Sequence, residues 1–248
     1  MILASDIYEL VLDLARKDLR GFSLSAEEYN RVARVVNNML FLKMYKEFES
    51  SQENSEAMSH FKVLNEPVAV GVGGIGALPA DFYHLCGMPW YSDTGGVARR
   101  LDLVTSLEHA KRQIDYLTQA TLTNPTFRFG IATATSDMTL YVTPTAGINP
   151  IYIDYIREPA TPFLDYYIDS ITAGYTWMAA GATVAVPVTA ISRTGVSGAN
   201  VDSATENWEY YEDDIPIISA LFLEELGVQL PDNILYEGGS LKENKLEA

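Results

Sequence analysis

Apolar side chains at helical spacing open the chain. Ile7, Leu10, Val11 and Leu14 predict a helix from Ser5 to Arg20, with Gly21 as its stop. Ser25-Ala26-Glu27-Glu28 is a capping box that starts a second helix running to about Phe48. Its apolar face is Tyr29, Val32, Val36, Met39, Leu40 and Phe48, and the two helices read as an N-terminal hairpin. The polar run 51–60 is a linker, after which the pattern becomes extended. Strands are predicted at Phe61–Val72, Phe127–Ile131, Met138–Val142 and Ile151–Arg157, with the last two joined through Pro144–Pro150 as a projecting hairpin. The segment 78–90 is extended and broken by Pro79 and Pro89, and Asp93–Gly96 is a turn. Thr105-Ser106-Leu107-Glu108 is a second capping box, opening a helix over 105–119. Pro159 and Pro162 end the last of these strands, and a helix from Phe163 to Ala180 is expected to follow. Residues 183–205 are small and β-branched without a firm period. Pro216 starts a final helix, which carries Ile217, Leu221 and Leu226 and stops at Gly227.

These elements predict an α+β fold. The N-terminal helical hairpin and further helices form a bundle, with a β-hairpin or small antiparallel sheet as an insertion. Three consecutive segments are expected within one compact domain. They are the hairpin and linker (1–60), a β-rich stretch with one helix (61–162), and C-terminal helices with a β-rich insertion and acidic tail (163–248).

Charge changes this picture more than composition does. The chain of 248 residues is 48% hydrophobic and 20% charged, ordinary for a folded protein. Its 17 basic and 33 acidic residues give −16, which excludes gripping nucleic acid through a broad basic face. The charge is uneven: 14 − 18 = −4 up to Arg157, and 3 − 15 = −12 from Glu158 onward. A solvated acidic surface is the plain reading of that excess, and a wall facing something to be repelled is the sharper one. The N-terminus MILASDIYEL has no basic region and is not expected to be a secretory signal. Residues 170–192 carry no charge, but their Ala, Thr, Gly and Pro content reads as buried helix followed by β structure, not a membrane span.

Candidate chemistry is sparse. Gly71-Val72-Gly73-Gly74-Ile75-Gly76 satisfies G-x-G-x-x-G, with Asp93 twenty residues past Gly73. A dinucleotide site needs a helix N-terminus at this point, whereas Ala77-Leu78-Pro79 follows, so a glycine loop is the better reading. His84 and Cys86 share a strand face but lack a third partner, and Cys86 is the single cysteine. Glu212-Asp213-Asp214 lacks calcium-loop spacing and sits where carboxylates favour a helix start. No catalytic residue, metal site or cofactor is expected. Tyrosine, at 15, outnumbers phenylalanine at 9, and amphipathic rings of this kind suit protein interfaces.

Three stretches taken in order resemble one group of proteins. Leu78-Pro79-Ala80-Asp81-Phe82-Tyr83 is similar to the L-P-x-D-F segment of head–tail adaptor and ring proteins of short-tailed phages. LYVTPTAGINPIYIDYIREPATP (140–162) resembles the strand, proline turn and strand that follow it there. WEYYEDDIPIISALFLEELGVQLPDNILY (208–236) looks like the acidic helix entry and close of structural proteins in crAss-like phages of Bacteroidetes hosts. The resemblance implies a non-enzymatic virion protein, assembled in the host cytoplasm. Copies would form a homo-oligomeric, twelvefold ring in the portal–tail connector, in contact with the portal protein and other ring or tail proteins. Tail-shaft or decoration proteins are the neighbouring alternatives, and an enzyme using Gly71–Gly76 is the distant one. Interface candidates are Tyr141, Pro144, Tyr152, Tyr155, Arg157, Trp208, Tyr210 and Tyr211, with the segment 183–205. Glu206, Glu209, Glu212, Asp213 and Asp214 are candidates to face a channel, past which DNA moves without specific binding and with no membrane involved.

Overall fold

A computed structural model describes residues 1–18, 23–48, 56, 58–115, 118–131 and 138–228. The chain forms two compact units: Met1–His60 with Pro159–Ala248, and Phe61–Glu158. Among the described residues there are fourteen strands in four sheets and four α-helices, so the expectation of a helical bundle with a small sheet insertion is overturned.

The Phe61–Glu158 unit is built on β9 (Ile151–Arg157), whose alternation buries Ile151, Ile153 and Tyr155 and leaves Tyr152 and Asp154 half-buried. On one side β9 pairs with β1 (Lys62–Val68). Along its other side it meets β3 (Phe82–Leu85) and then β4 (Trp90–Ser92), which carries β5 (Ala98–Arg100). The second sheet runs β2 (Ile75–Ala77), β8 (Met138–Thr143), β7 (Thr126–Ile131), β6 (Asp102–Leu103). Val68, Tyr91, Phe127, Leu140, Val142, Ile151 and Ile153 form one core drawn from strands of both sheets. The expected hairpin across Pro144–Pro150 is not one. β8 and β9 belong to different sheets, so this stretch carries the chain from one sheet to the other and drops Ile148 into the core. Helix α3 (Ser106–Ile114) starts at the predicted cap, Thr105 accepting from Glu108 N–H at 3.2 Å.

The other unit holds α1 (Ala4–Asp18), α2 (Ala26–Glu47) and α4 (Ile215–Glu225), with α4 packed against both of the others. The predicted stops Gly21 and residues 51–55 lie outside the described residues, as do the tail beyond Val228 and the acids it carries. Ser25 caps α2 as its sequence predicts, accepting from Glu28 N–H at 3.2 Å. Gly227, at φ 72°, closes α4, and Val228 N–H reaches Leu223 C=O at 2.9 Å.

The helix expected over Phe163–Ala180 does not form. Its residues make β10 (Tyr166–Asp169) and β11 (Tyr175–Trp177), an antiparallel pair joined to β13 (Ala190–Ser192), while β12 (Thr183–Ala185) pairs with β14 (Asn200–Asp202). The physical reason lies in the turn. Asp169 Oδ1 accepts from Ile171 N–H at 2.8 Å, Ala173 takes φ 53° and Gly174 follows, reversing the chain where a helix would need to continue. The aromatic and β-branched residues on either side then favour strand. Among the described residues no helix is long and apolar enough to cross a membrane.

The glycine loop is a corner between β1 and β2. Gly71 N–H donates to Ile75 C=O at 2.8 Å, Gly74 C=O accepts from Val142 N–H at 2.7 Å, and Gly73 and Gly74 take φ 85° and 73°. A Cβ on Gly74 would run into the Val142 carbonyl, whereas one on Gly73 meets nothing within 4 Å. Gly74→Ala is therefore expected to destabilise the protein by about 2 kcal/mol or more, and Gly73→Ala by about 1–2 kcal/mol from the backbone alone. Urea midpoints of the two variants check that order.

Candidate assembly surfaces

The first two resembling stretches meet in the Phe61–Glu158 unit. Pro79 C=O accepts from Phe82 N–H at 3.1 Å, and Asp81 C=O accepts from Glu158 N–H at 2.7 Å. Tyr155 donates its hydroxyl to Asp81 Oδ1 at 3.0 Å, while the Phe82 ring stacks on the Tyr155 ring with centroids 5.5 Å apart. Leu-Pro-Ala-Asp-Phe-Tyr is thus a clamp that holds β3 to the end of β9, and its acid is occupied by a buried hydroxyl. Tyr155 is 3% exposed and cannot present its ring to a partner, which corrects its candidacy as an interface residue. Burial and the Asp81 carboxylate push the phenol up to about 12. Arg157, half-buried, lies over the Phe61 ring at 5.7 Å.

Tyr152 is different. It projects from β9 next to Trp90 of β4, their rings stacked 4.5 Å apart. Beside them a groove of about 620 Å³ is lined by Gly87, Met88, Trp90, Ala98, Arg100 and Asp154. Asp154 Oδ1 accepts from Asn65 N–H at 2.7 Å, satisfying a bulge in β1 where Asn65 takes φ 56°. The groove combines aromatic, aliphatic, cationic and anionic lining, the mixture a protein contact uses. Tyr141 is also half-buried, held between Gly130, where a Cβ would lie 2.5 Å from its ring, and the Arg128 guanidinium 4.2 Å from its centroid. Pro144 is half-buried at the head of the crossover between sheets.

In the other unit the predicted C-terminal site residues divide sharply. Trp208 is fully buried and Tyr210 is 1% exposed. Trp208 Nε1–H donates to the Tyr29 hydroxyl at 3.1 Å, and the Tyr210 hydroxyl donates to Asn37 C=O at 3.1 Å. Both are core residues, a correction whose cause is the return of this segment onto α2. Burial raises the phenols of Tyr29 and Tyr210 well above the ordinary value. Tyr211, 44% exposed, lies against His60 with ring centroids 3.8 Å apart and planes tilted by 48°. Among the acids, Glu206, Glu212 and Asp213 are exposed. Glu209 is half-buried and accepts from Ala160 N–H at 2.8 Å, while Asp214 is buried and accepts from Tyr211 N–H at 3.3 Å. Those two carboxylates are engaged by backbone amides, and the burial of Asp214 corrects its candidacy to face a channel.

Asp165 escaped the sequence reading. It is 4% exposed, accepts from Arg193 Nε at 3.1 Å through Oδ1 and from Ala204 N–H at 3.0 Å through Oδ2, and so ties β10 to the segments flanking β14. Arg193, the lone base between Arg157 and Lys242, was the available signal. In 183–205, β13 is joined to β10 within its own unit, while Val188 (84%) and Ile191 (52%) remain in solvent.

Asp93, which stood at the acid position of a dinucleotide fingerprint, is consumed by its own turn. Its carboxylate accepts from Gly95 and Val97 N–H, each at 2.9 Å, and from Arg99 Nε at 3.1 Å, and these bonds hold its pKa below the usual range. The glycine loop leads into strand β2 and no helix begins there. Among the described residues no group of three His, Cys, Asp or Glu is placed to hold a metal. No protein-family model matches the chain, and no curated protein matches it in sequence.

The raised phenol of Tyr155 makes a pH prediction. Below pH 10 folded and unfolded chains both keep the proton. Between 10 and about 12 the unfolded chain loses it first, so stability falls as pH rises through that window. Tyr155→Phe is expected to cost about 1 kcal/mol at neutral pH, from the lost bond to Asp81. It is also expected to make the alkaline decline shallower. Urea unfolding followed by circular dichroism at neutral and alkaline pH measures both.

Proposed function

We propose that this chain is a structural subunit of a homo-oligomeric ring in the portal–tail connector of a short-tailed phage virion, forming part of the channel through which the genome passes. One observation carries the reading: both units leave large apolar side chains in water. Val72 (103%), Ile114 (88%), Val188 (84%) and Ile171 (78%) are examples, and the groove beside Trp90 and Tyr152 adds another. Ile171 and Val188 flank the Ser170–Thr189 backbone bond, and contiguous exposed apolar surface of this kind marks a face that a neighbour covers. The likeness of 78–83, 140–162 and 208–236 to ring proteins supplies the kind of assembly.

The exposed carboxylates Glu206 and Glu212 supply the conduit chemistry. Repeated around a ring, they repel phosphates and let DNA slide without sticking. In this reading the glycine loop is a structural corner and the function involves no catalysis.

Cryo-electron microscopy of the purified full chain is expected to show closed rings with a central channel. Tyr152→Lys is expected to lower the fraction in rings while leaving the unfolding free energy within about 1 kcal/mol of the parent. Duplex DNA is expected to be unretained in a filter assay at low salt. A chain that stays monomeric at every concentration, or that grips DNA, overturns the proposal.

A further inference from the structure

Helix α2 has two unlike faces. Tyr29, Val32, Ala33, Val36, Leu40 and Phe41 are buried in its own unit. On the opposite side Val35, Met39 and Leu42 recur at helical spacing and are 42%, 42% and 43% exposed. Sequence pattern assigned Met39 to the core face; the structure puts it outside. The apolar stripe is bounded by Arg34 on one flank and Lys43 on the other, with Lys46 at its end, all exposed and in no ion pair among the described residues. A basic surface of this size stands out on a chain of net charge −16.

Helix α4 presents the complement. Ile218, Ser219, Phe222 and Leu223 are buried, while Ile217, Ala220 and Leu221 remain half-exposed along its outer side. That stripe ends in exposed carboxylates at both ends: Asp213 before the helix and Glu224 in its last turn. Neither is in an ion pair among the described residues. The spacings are comparable, since Arg34 and Lys43 lie nine residues or about 14 Å apart along α2, and Asp213 stands two residues before α4, with Glu224 near its other end.

We propose that the outer face of α2 on one copy docks on the outer face of α4 on a second copy, apolar stripe on apolar stripe, with Arg34 and Lys43 meeting Asp213 and Glu224. The two surfaces are different parts of one chain, so the contact is head-to-tail and propagates from copy to copy, closing where the rotation permits. It rests on the reading of the chain as an assembly subunit and assigns that assembly a contact. It also gives Asp213 a partner in the next copy in place of a channel-facing role.

The test uses the purified full chain in sedimentation velocity and native mass spectrometry at low and high salt. The parent is expected to self-associate, more weakly as salt rises. Arg34→Glu with Lys43→Glu, and separately Asp213→Lys with Glu224→Lys, are each expected to weaken association about tenfold or more. Mixing the two double variants is expected to restore association between them. Met39→Asp alone is expected to have the effect of the α2 pair, and circular dichroism melts of all variants should match the parent. Either double variant assembling as the parent does, or a mixture that fails to associate, overturns the contact. Co-sedimentation of the parent with phosphatidylserine-containing vesicles, lost in Arg34→Glu/Lys43→Glu, also overturns it in favour of a membrane surface. Rings that persist in both double variants leave the ring reading standing without this contact. Salt-sensitive association through α2 and α4 into species that never close keeps the contact and removes the ring.

Discussion

One hydroxyl group holds together a unit that the chain enters twice. Polypeptide leaves the helical unit at His60 and returns at Pro159, so its two halves have no short covalent tie. Tyr29, on α2, is fully buried. Its hydroxyl donates to Ala4 C=O at 2.8 Å, at the start of α1, and accepts from Trp208 Nε1–H at 3.1 Å, from the returning segment. The Tyr29 ring stacks on Phe222 of α4 at 5.0 Å. A buried hydroxyl left unmatched costs about 1–3 kcal/mol, so the two bonds fix the register in which the segments meet. Asn30 repeats the device one residue on, bonding Leu164 N–H and C=O with its amide.

This constraint explains why the aromatic-rich C-terminal segment is a core and not a surface. Trp208 and Tyr210 carry polar atoms, and in the sequence they look like amphipathic rings with one wet end. Their polar atoms find partners on α2 instead. What remains outside is set by subtraction. With one face of α2 committed to Tyr29 and Trp208, Val35, Met39 and Leu42 are turned to solvent beside Arg34 and Lys43. The same logic operates in the Phe61–Glu158 unit, where β9 is paired on both edges and its alternation buries Tyr155 and leaves Tyr152 half-buried.

Several local signals are legible in the sequence. Capping by Ser25 and Thr105, the stop at Gly227, the turn at Asp93 and the strands around Phe127, Met138 and Ile151 all follow from neighbours within a few residues. The segment 163–180 forms strands and not the expected helix, because a stretch rich in Ala and aromatic residues satisfies a helix as readily as strands. The turn at Asp169–Gly174 decides between them. Of the site residues, Tyr152 and Tyr211 reach the surface as their amphipathic character implies, while Asp165 has no signal beyond the isolated Arg193 that pairs with it.

Sequence alone determined the caps at Ser25 and Thr105 and the stop at Gly227, that the acidity gathers from Glu158 onward, and that the glycine run is not followed by a helix, because capping, charge and backbone freedom act over a few residues. Tertiary structure decided that strands 138–143 and 151–157 belong to different sheets, that Trp208 and Tyr155 lie inside while Met39 lies outside, and that Glu209 and Asp214 bond backbone amides. Those outcomes depend on which distant segment covers which face, and a period of two or 3.6 residues names a face without naming what covers it.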